Sequence, residues 1–200
     1  MTEASRAALR VRSVNVALAA PLVVADGRSV ASGIRKRPVD GAVAVRPLNL
    51  AGDEQADPSA HGGLSKAVYA YPWEHYPFWQ TVRAQAQAAG WDEPLPCGAL
   101  GENLTLEGLL EADVFIGDVL RFAGCALAVS EPRFPCYKLN AALGFAHAVR
   151  LMQQSGWCGF YLSVREPGVL RAGETFTLEP GPREVGIVEL FRARIGRAGR

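Results

Sequence analysis

The chain is short of four things, and each shortage excludes a class of function. It is short of net charge: 200 residues carry 21 Lys and Arg against 20 Asp and Glu, a formal +1. No general field draws it to nucleic acid or to an anionic membrane, so any basic site is local and its ligand small and polar or anionic. It is short of paired cysteines. Cys97, Cys125, Cys136 and Cys158 form no C-x-x-C pair and show no compact spacing, which argues against a zinc cage or a disulfide framework. It lacks a membrane-spanning run near the N-terminus, where the longest uncharged stretch, Ser13 to Ala25, falls short of the roughly 20 residues a span needs. Lysine is nearly absent as well. Of the 21 basic residues only Lys36, Lys66 and Lys138 are lysine. A compact ammonium suits a point contact to phosphate or carboxylate where the planar Arg fork suits bidentate recognition, and each lysine falls in a segment that other features single out.

What is present is a chain that is 49% hydrophobic, enough for one core and one domain, with no internal repeat. Arg6, Arg10 and Arg12 before Val16 to Ala25 imitate a signal peptide, but Val14, Val16 and Leu18 alternate with Asn15 and Ala17, and Pro21 interrupts the run. The expectation is a strand there, and a cytoplasmic protein. Strand-like runs extend over Arg10 to Ala19, Val30 to Ile34, Ala42 to Leu48, Glu102 to Leu106, Val114 to Phe122, Cys125 to Ser130, Phe160 to Arg165 and Glu174 to Leu178. Their spacing predicts a barrel or a strongly bent mixed sheet. Helices are predicted over Pro72 to Ala89 and Ala146 to Gln154, each stopped by glycine, and Val185 to Gly196 reads as a short basic tail helix after the Pro180-Gly181-Pro182 break.

Four clusters can carry chemistry. In Pro132-Arg133-Phe134-Pro135-Cys136-Tyr137-Lys138 two prolines stiffen the backbone, and the cations bias the cysteine towards the thiolate that attacks electrophiles and ligates soft metals. The competing reading is an inert, small, buried thiol. Arg35-Lys36-Arg37 before Pro38 can grip an anion or can be a solvated turn. Gly52 to Asp57 with His61-Gly62-Gly63 and Lys66 combines acids, a histidine and close-approaching backbone; Gly98 to Thr105 offers amide and carboxylate groups at a strand mouth.

In order, Gly33-Ile34-Arg35-Lys36-Arg37-Pro38-Val39, Gly52 to Asp57 with His61-Gly62-Gly63, Ala67 to Pro72, Gly101-Glu102-Asn103-Leu104-Thr105, Ile116-Gly117-Asp118 and Pro132 to Leu139 resemble the MOSC domain family, named after the C-terminal part of molybdenum cofactor sulfurases, and within it the YiiM-like members. The resemblance implies a β-rich α+β fold, a barrel-like core with a few peripheral helices over residues 1–180, followed by the tail 181–200. It implies the molybdenum cofactor (molybdopterin) with Cys136 as thiolate ligand to molybdenum, and Lys36, Asn103, Arg133, Lys138 and His61 as contacts to the pterin and its phosphate; Cys136 and His61 are the candidate catalytic residues. The implied activity is reduction of N-hydroxylated compounds such as hydroxylaminopurines, with electrons from an external reductase. Family members often carry a basic residue where this chain has Trp157 in Gly156-Trp157-Cys158-Gly159. Two other functions remain open on the residues alone. One is a cofactor or sulfur carrier serving a pyridoxal phosphate-dependent desulfurase, and the other a hydrolase using Cys136 and His61. No feature speaks to oligomeric state.

Overall fold

The computed structural model describes residues 8–56 and 62–198. Its framework is an eight-stranded sheet. Strands β1 (Arg10–Val16), β4 (Arg37–Pro38), β6 (Val68–Pro72), β7 (Leu104–Glu107), β8 (Val119–Arg121), β9 (Ala126–Pro132), β10 (Phe160–Glu166) and β12 (Thr177–Glu179) run in the order β12-β8-β9-β10-β6-β7-β1-β4. Every neighbouring pair is antiparallel except β6 and β7. A parallel pair needs a crossover. Here it is made by a 3-10 turn at Trp73–His75, helix α1 (Tyr76–Gln85) and the loop after it. Two small ribbons complete the β structure, β2 (Ala20–Val23) with β3 (Ser29–Ser32) and β5 (Ala42–Val45) with β11 (Gly168–Arg171).

The large sheet curls until its ends meet. Just ahead of β12, Gly173 N–H donates to Val11 O at 2.7 Å, Val11 N–H to Glu174 O at 2.9 Å and Phe176 N–H to Leu9 O at 3.1 Å. The barrel-like core expected from the strand spacing is therefore present, filled by Val11, Val14, Leu104, Leu106, Leu120, Leu127 and Phe160, all buried. Helices α2 (Lys138–Leu143), α3 (Ala148–Ser155) and α4 (Ile187–Ala198) lie outside the sheet. No helix of the described residues is long and apolar enough to cross a membrane.

Four differences from the sequence pattern have physical causes. Strand β6 is buried at all five positions, so it shows no period-2 alternation, and Pro72 ends it instead of opening α1. Pro21 does not interrupt a strand but lies in one, on a two-stranded ribbon whose outer edge tolerates a missing N–H. The long run at Val114 to Phe122 keeps only Val119–Arg121 as strand, because Gly117 adopts φ +88° and turns the chain. The tail helix α4 docks on the core through buried Ile187 and Phe191, with Phe191 stacked on Phe134 at 5.5 Å.

Candidate functional site

One cleft collects most of the polar chemistry. All three lysines, Lys36, Lys66 and Lys138, line it together with Arg133 and Cys136, and its acidic lining residues are Asp53 and Glu54. The cleft is open, and the space within it, solvent at its mouth included, is about 670 Å³. Cations outnumber acids along its wall, so a chain with a formal net charge of only +1 carries a local excess of positive charge there.

Glycines set one wall. Gly33 allows its strand exit to lie against the Gly52–Glu54 loop, where a Cβ would come 2.6 Å from Glu54 O. Gly98, at φ +85°, lets the next loop press on the opposite side, where a Cβ would come 2.8 Å from Lys36 O. Lys36 is thus clamped between two loops, its side chain 8% exposed and ion-paired to Asp53. Asp53 Oδ1 also accepts from Ala17 N–H at 2.9 Å, and Oδ2 from Asn103 Nδ2 at 3.0 Å. Asn103 spends its remaining capacity on backbone, donating to Asn15 O at 3.2 Å and accepting from Tyr69 N–H at 3.0 Å. Burial lowers the pKa of Lys36, against the opposing pull of Asp53 and Glu102.

The other wall is the segment from Arg133 to Lys138, between β9 and α2. Pro132 is paired in β9 opposite Phe160, and Phe134 is held between the Phe191 ring and the Arg194 guanidinium at 4.3 Å, so the loop is braced on both sides of Arg133. Arg133 is 6% exposed, and among the described residues it makes no ion pair. Its Nη1 lies 3.3 Å from Met152 Sδ and its guanidinium 5.3 Å from the centre of the Tyr69 ring. Burial pushes this guanidinium's pKa down, but the Tyr69 and Tyr161 phenols and the Cys136 thiol outweigh it and the net shift is upward. Cys136 is half-buried on the cleft, and Lys138 donates to Ala31 O at 3.0 Å.

The structure thus brings together Lys36, Asn103, Arg133, Cys136 and Lys138. His61 lies outside the described residues. Arg35 and Arg37 point to solvent, so the three-cation run contributes one residue to the cleft. Glu102 turns inward, fully buried, and accepts from Tyr76 Oη, Gly98 N–H at 2.7 Å, Leu100 N–H at 3.1 Å and Thr105 Oγ1 at 2.8 Å, so it builds the loop rather than meeting a ligand. Burial raises its pKa. Trp157 stacks on His75 at 4.4 Å, away from the cleft, and His75 Nε2 is 2.8 Å from Glu111 Oε2. No disulfide forms among the four cysteines. Cys125 and Cys158 are core residues, and burial pushes the Cys125 thiol up to about 11 and the Cys158 thiol well above the ordinary thiol range.

Sequence reasoning placed Asp53 in the Gly52 to Asp57 cluster without giving it a role, and it missed Tyr69 and Tyr161 as cleft residues. The tyrosines had no signal, since aromatic residues in buried strands read as core.

Comparison with known proteins places these features in a family. The model of the MOSC domain matches residues 57–177. The uncharacterized protein YflK of Bacillus subtilis is 44% identical over 170 residues, which is 85% of this chain and 73% of that protein. A protein of Gibberella moniliformis named reductase is 33% identical over 173 residues, covering 84% of this chain but 30% of that longer protein. The crystal structure of YiiM from Geobacillus stearothermophilus superposes with a TM-score of 0.73 at 31% identity, over 96% of this chain and 86% of that one.

Proposed function

The chain belongs to the MOSC domain family, and on that premise we propose that it holds the molybdenum cofactor in the cationic cleft and reduces N-hydroxylated compounds, hydroxylaminopurines among them. The observation that carries this is the convergence of one half-buried thiol, Cys136, with four cations in a single cleft. A soft thiolate suits a metal that brings a dithiolene of its own, and the cations suit the cofactor's phosphate. The donor set therefore fits the group.

When bound, the cofactor supplies two-electron chemistry at its metal. The overall reaction replaces N–OH by N–H and releases water, consuming two electrons and two protons. A separate flavin or iron–sulfur reductase supplies the electrons. The chain's own residues position and bind. The Phe134 stack and Pro132 pairing fix the loop that presents Cys136, while Arg133 and Lys138 on one side and Lys36 on the other neutralise the bound anion. Four cysteines without a disulfide suit a reducing compartment such as the cytoplasm.

The test is expression in a host rich in molybdenum cofactor, gentle purification, and measurement of molybdenum and pterin per chain and of hydroxylaminopurine reduction per bound molybdenum. Both cofactor components are expected with the wild type. Cys136→Ala and Cys136→Ser should abolish turnover with an unchanged circular dichroism spectrum, while Cys125→Ala keeps it. Near wild-type turnover per molybdenum in Cys136→Ala would overturn the ligand assignment. Absence of molybdenum and pterin from the wild type, even after reconstitution with free cofactor, would overturn the function.

A further inference from the structure

An acid inside an anion site ought to weaken it, yet Asp53 lines the cleft with its carboxylate 4% exposed. Its surroundings explain the placement. Lys36 reaches the cleft with its side chain almost out of water, and burial alone drives a lysine towards the neutral amine, which holds no anion. Asp53 is the carboxylate paired with it. That carboxylate is immobilised by Ala17 N–H and Asn103 Nδ2, at 2.9 and 3.0 Å, and Asn103 is itself tied to β6 through Tyr69 N–H. An ammonium has three donors. Asp53 takes one, which leaves two for a ligand along the wall that Lys36 lines.

We infer that Asp53 is a positioning residue of the anion site: it keeps Lys36 cationic and fixed against the cleft wall, and Asn103 serves the site by holding Asp53 rather than by touching the ligand. This rests on the cleft being an anion site. The other charged groups around Lys36 divide by sign. Asp53 and Glu102, the latter behind the Gly98–Gly101 loop, favour the ammonium; Glu54 adds one more carboxylate to the lining, and Lys66, Arg133 and Lys138 add three cations. Burial still leaves Lys36 below the ordinary lysine value with Asp53 in place, so removing the Asp53 charge moves its deprotonation to lower pH.

The near-absence of lysine makes this measurable. Lysine labelled with ¹³C at Cε gives three resonances, one per lysine, all from this cleft. The Lys36 signal, assigned by its loss in Lys36→Met, should titrate below the ordinary lysine range, and lower still in Asp53→Asn. Sulfate, whose charge is constant over the range, should bind Asp53→Asn about tenfold or more weakly than wild type at about pH 8, with a smaller gap at about pH 6. Asp53→Glu, which keeps the charge, should recover part of the affinity. An unmoved Lys36 titration in Asp53→Asn, or sulfate affinity within about twofold of wild type at both pH values, would overturn the inference. Should Lys36 shift as expected while wild type binds no sulfate, the anion-site reading falls and the Lys36–Asp53 assignment stands. If Asp53→Asn does not fold, the double variant Lys36→Met/Asp53→Asn decides: recovery of folding supports the pairing, and continued failure overturns it.

Discussion

On one side of the cleft Lys36, Asp53 and Asn103 satisfy one another; on the other, Arg133 and Lys138 carry charge that no carboxylate among the described residues answers. The first wall is finished by folding. Its hydrogen bonds join β1, β6 and the loop after Gly52, so the same contacts that shape the site hold the sheet. On the proposed function, the second wall is finished by a ligand. A buried guanidinium that meets two phenols and a thiol but no carboxylate keeps its charge available for an anion, which is how a site is held ready for a ligand.

Asn103→Ala attacks the finished wall and should have the largest effect on stability. It removes the acceptor of Tyr69 N–H and the donors to Asn15 O and Asp53 Oδ2, all buried. Three bonds at about 1 kcal/mol each, one of them to a charged group, predict a loss of about 3 to 5 kcal/mol in urea unfolding. A loss below about 1 kcal/mol would show that this wall does not carry the fold, and the contrast between the walls would collapse.

Arg133→Met inverts the expectation. The methionine keeps a similar length beside Met152 and Tyr69 while the buried charge disappears. Its urea midpoint should stay close to that of wild type, because the cost of burying the charge and its attraction to the Tyr69 and Tyr161 phenols and the Cys136 thiol oppose each other and both vanish together. Molybdenum retention should nevertheless fall about tenfold or more, one charge-assisted contact being worth about 1.5 to 3 kcal/mol. If stability and retention fell together, Arg133 would be a packing residue and not a binding one.

The same contrast explains how much the sequence disclosed. Cys136, Arg133 and Lys138 announce themselves because their neighbours in sequence are also their neighbours in the site, and prolines beside a cysteine are legible one residue at a time. The finished wall is assembled from Lys36, Asp53 and Asn103, contributed by three separate segments, and only the fold makes them adjacent. Lys36 stood out in the Arg35-Lys36-Arg37 run, Asp53 among the acids of Gly52 to Asp57 and Asn103 in the Gly98 to Thr105 cluster, but nothing local says that the three meet. The Gly98 to Thr105 segment delivers its amide, Asn103, to the cleft but not its carboxylate. Its carboxylate, Glu102, is turned into the core to organise backbone N–H groups, and nothing in a linear pattern distinguishes an inward acid from an outward one. Strand order was legible only as far as a curled, β-rich sheet; the parallel β6–β7 pair depends on a crossover that local periodicity does not encode.

Lys138→Ala sharpens the contrast at its weakest point and should have the smallest effect. Lys138 opens α2, where the positive end of the helix dipole disfavours a cation, so its placement is not explained by helix stability. Its bond to Ala31 O, at 3.0 Å, offsets that penalty by fastening the β2–β3 ribbon to the cleft. The two effects are each about 0.5 kcal/mol and opposite in sign, so thermal unfolding should barely move. Lys138 is more exposed than Arg133, so water and salt screen it. Cofactor retention should fall only a few-fold, and the deficit should shrink as salt is raised. A stability loss above about 1 kcal/mol would make Lys138 a clasp on the ribbon, moving it to the finished wall. Retention equal to wild type at low salt would remove it from the site and leave Arg133 as the cation on which the open wall depends.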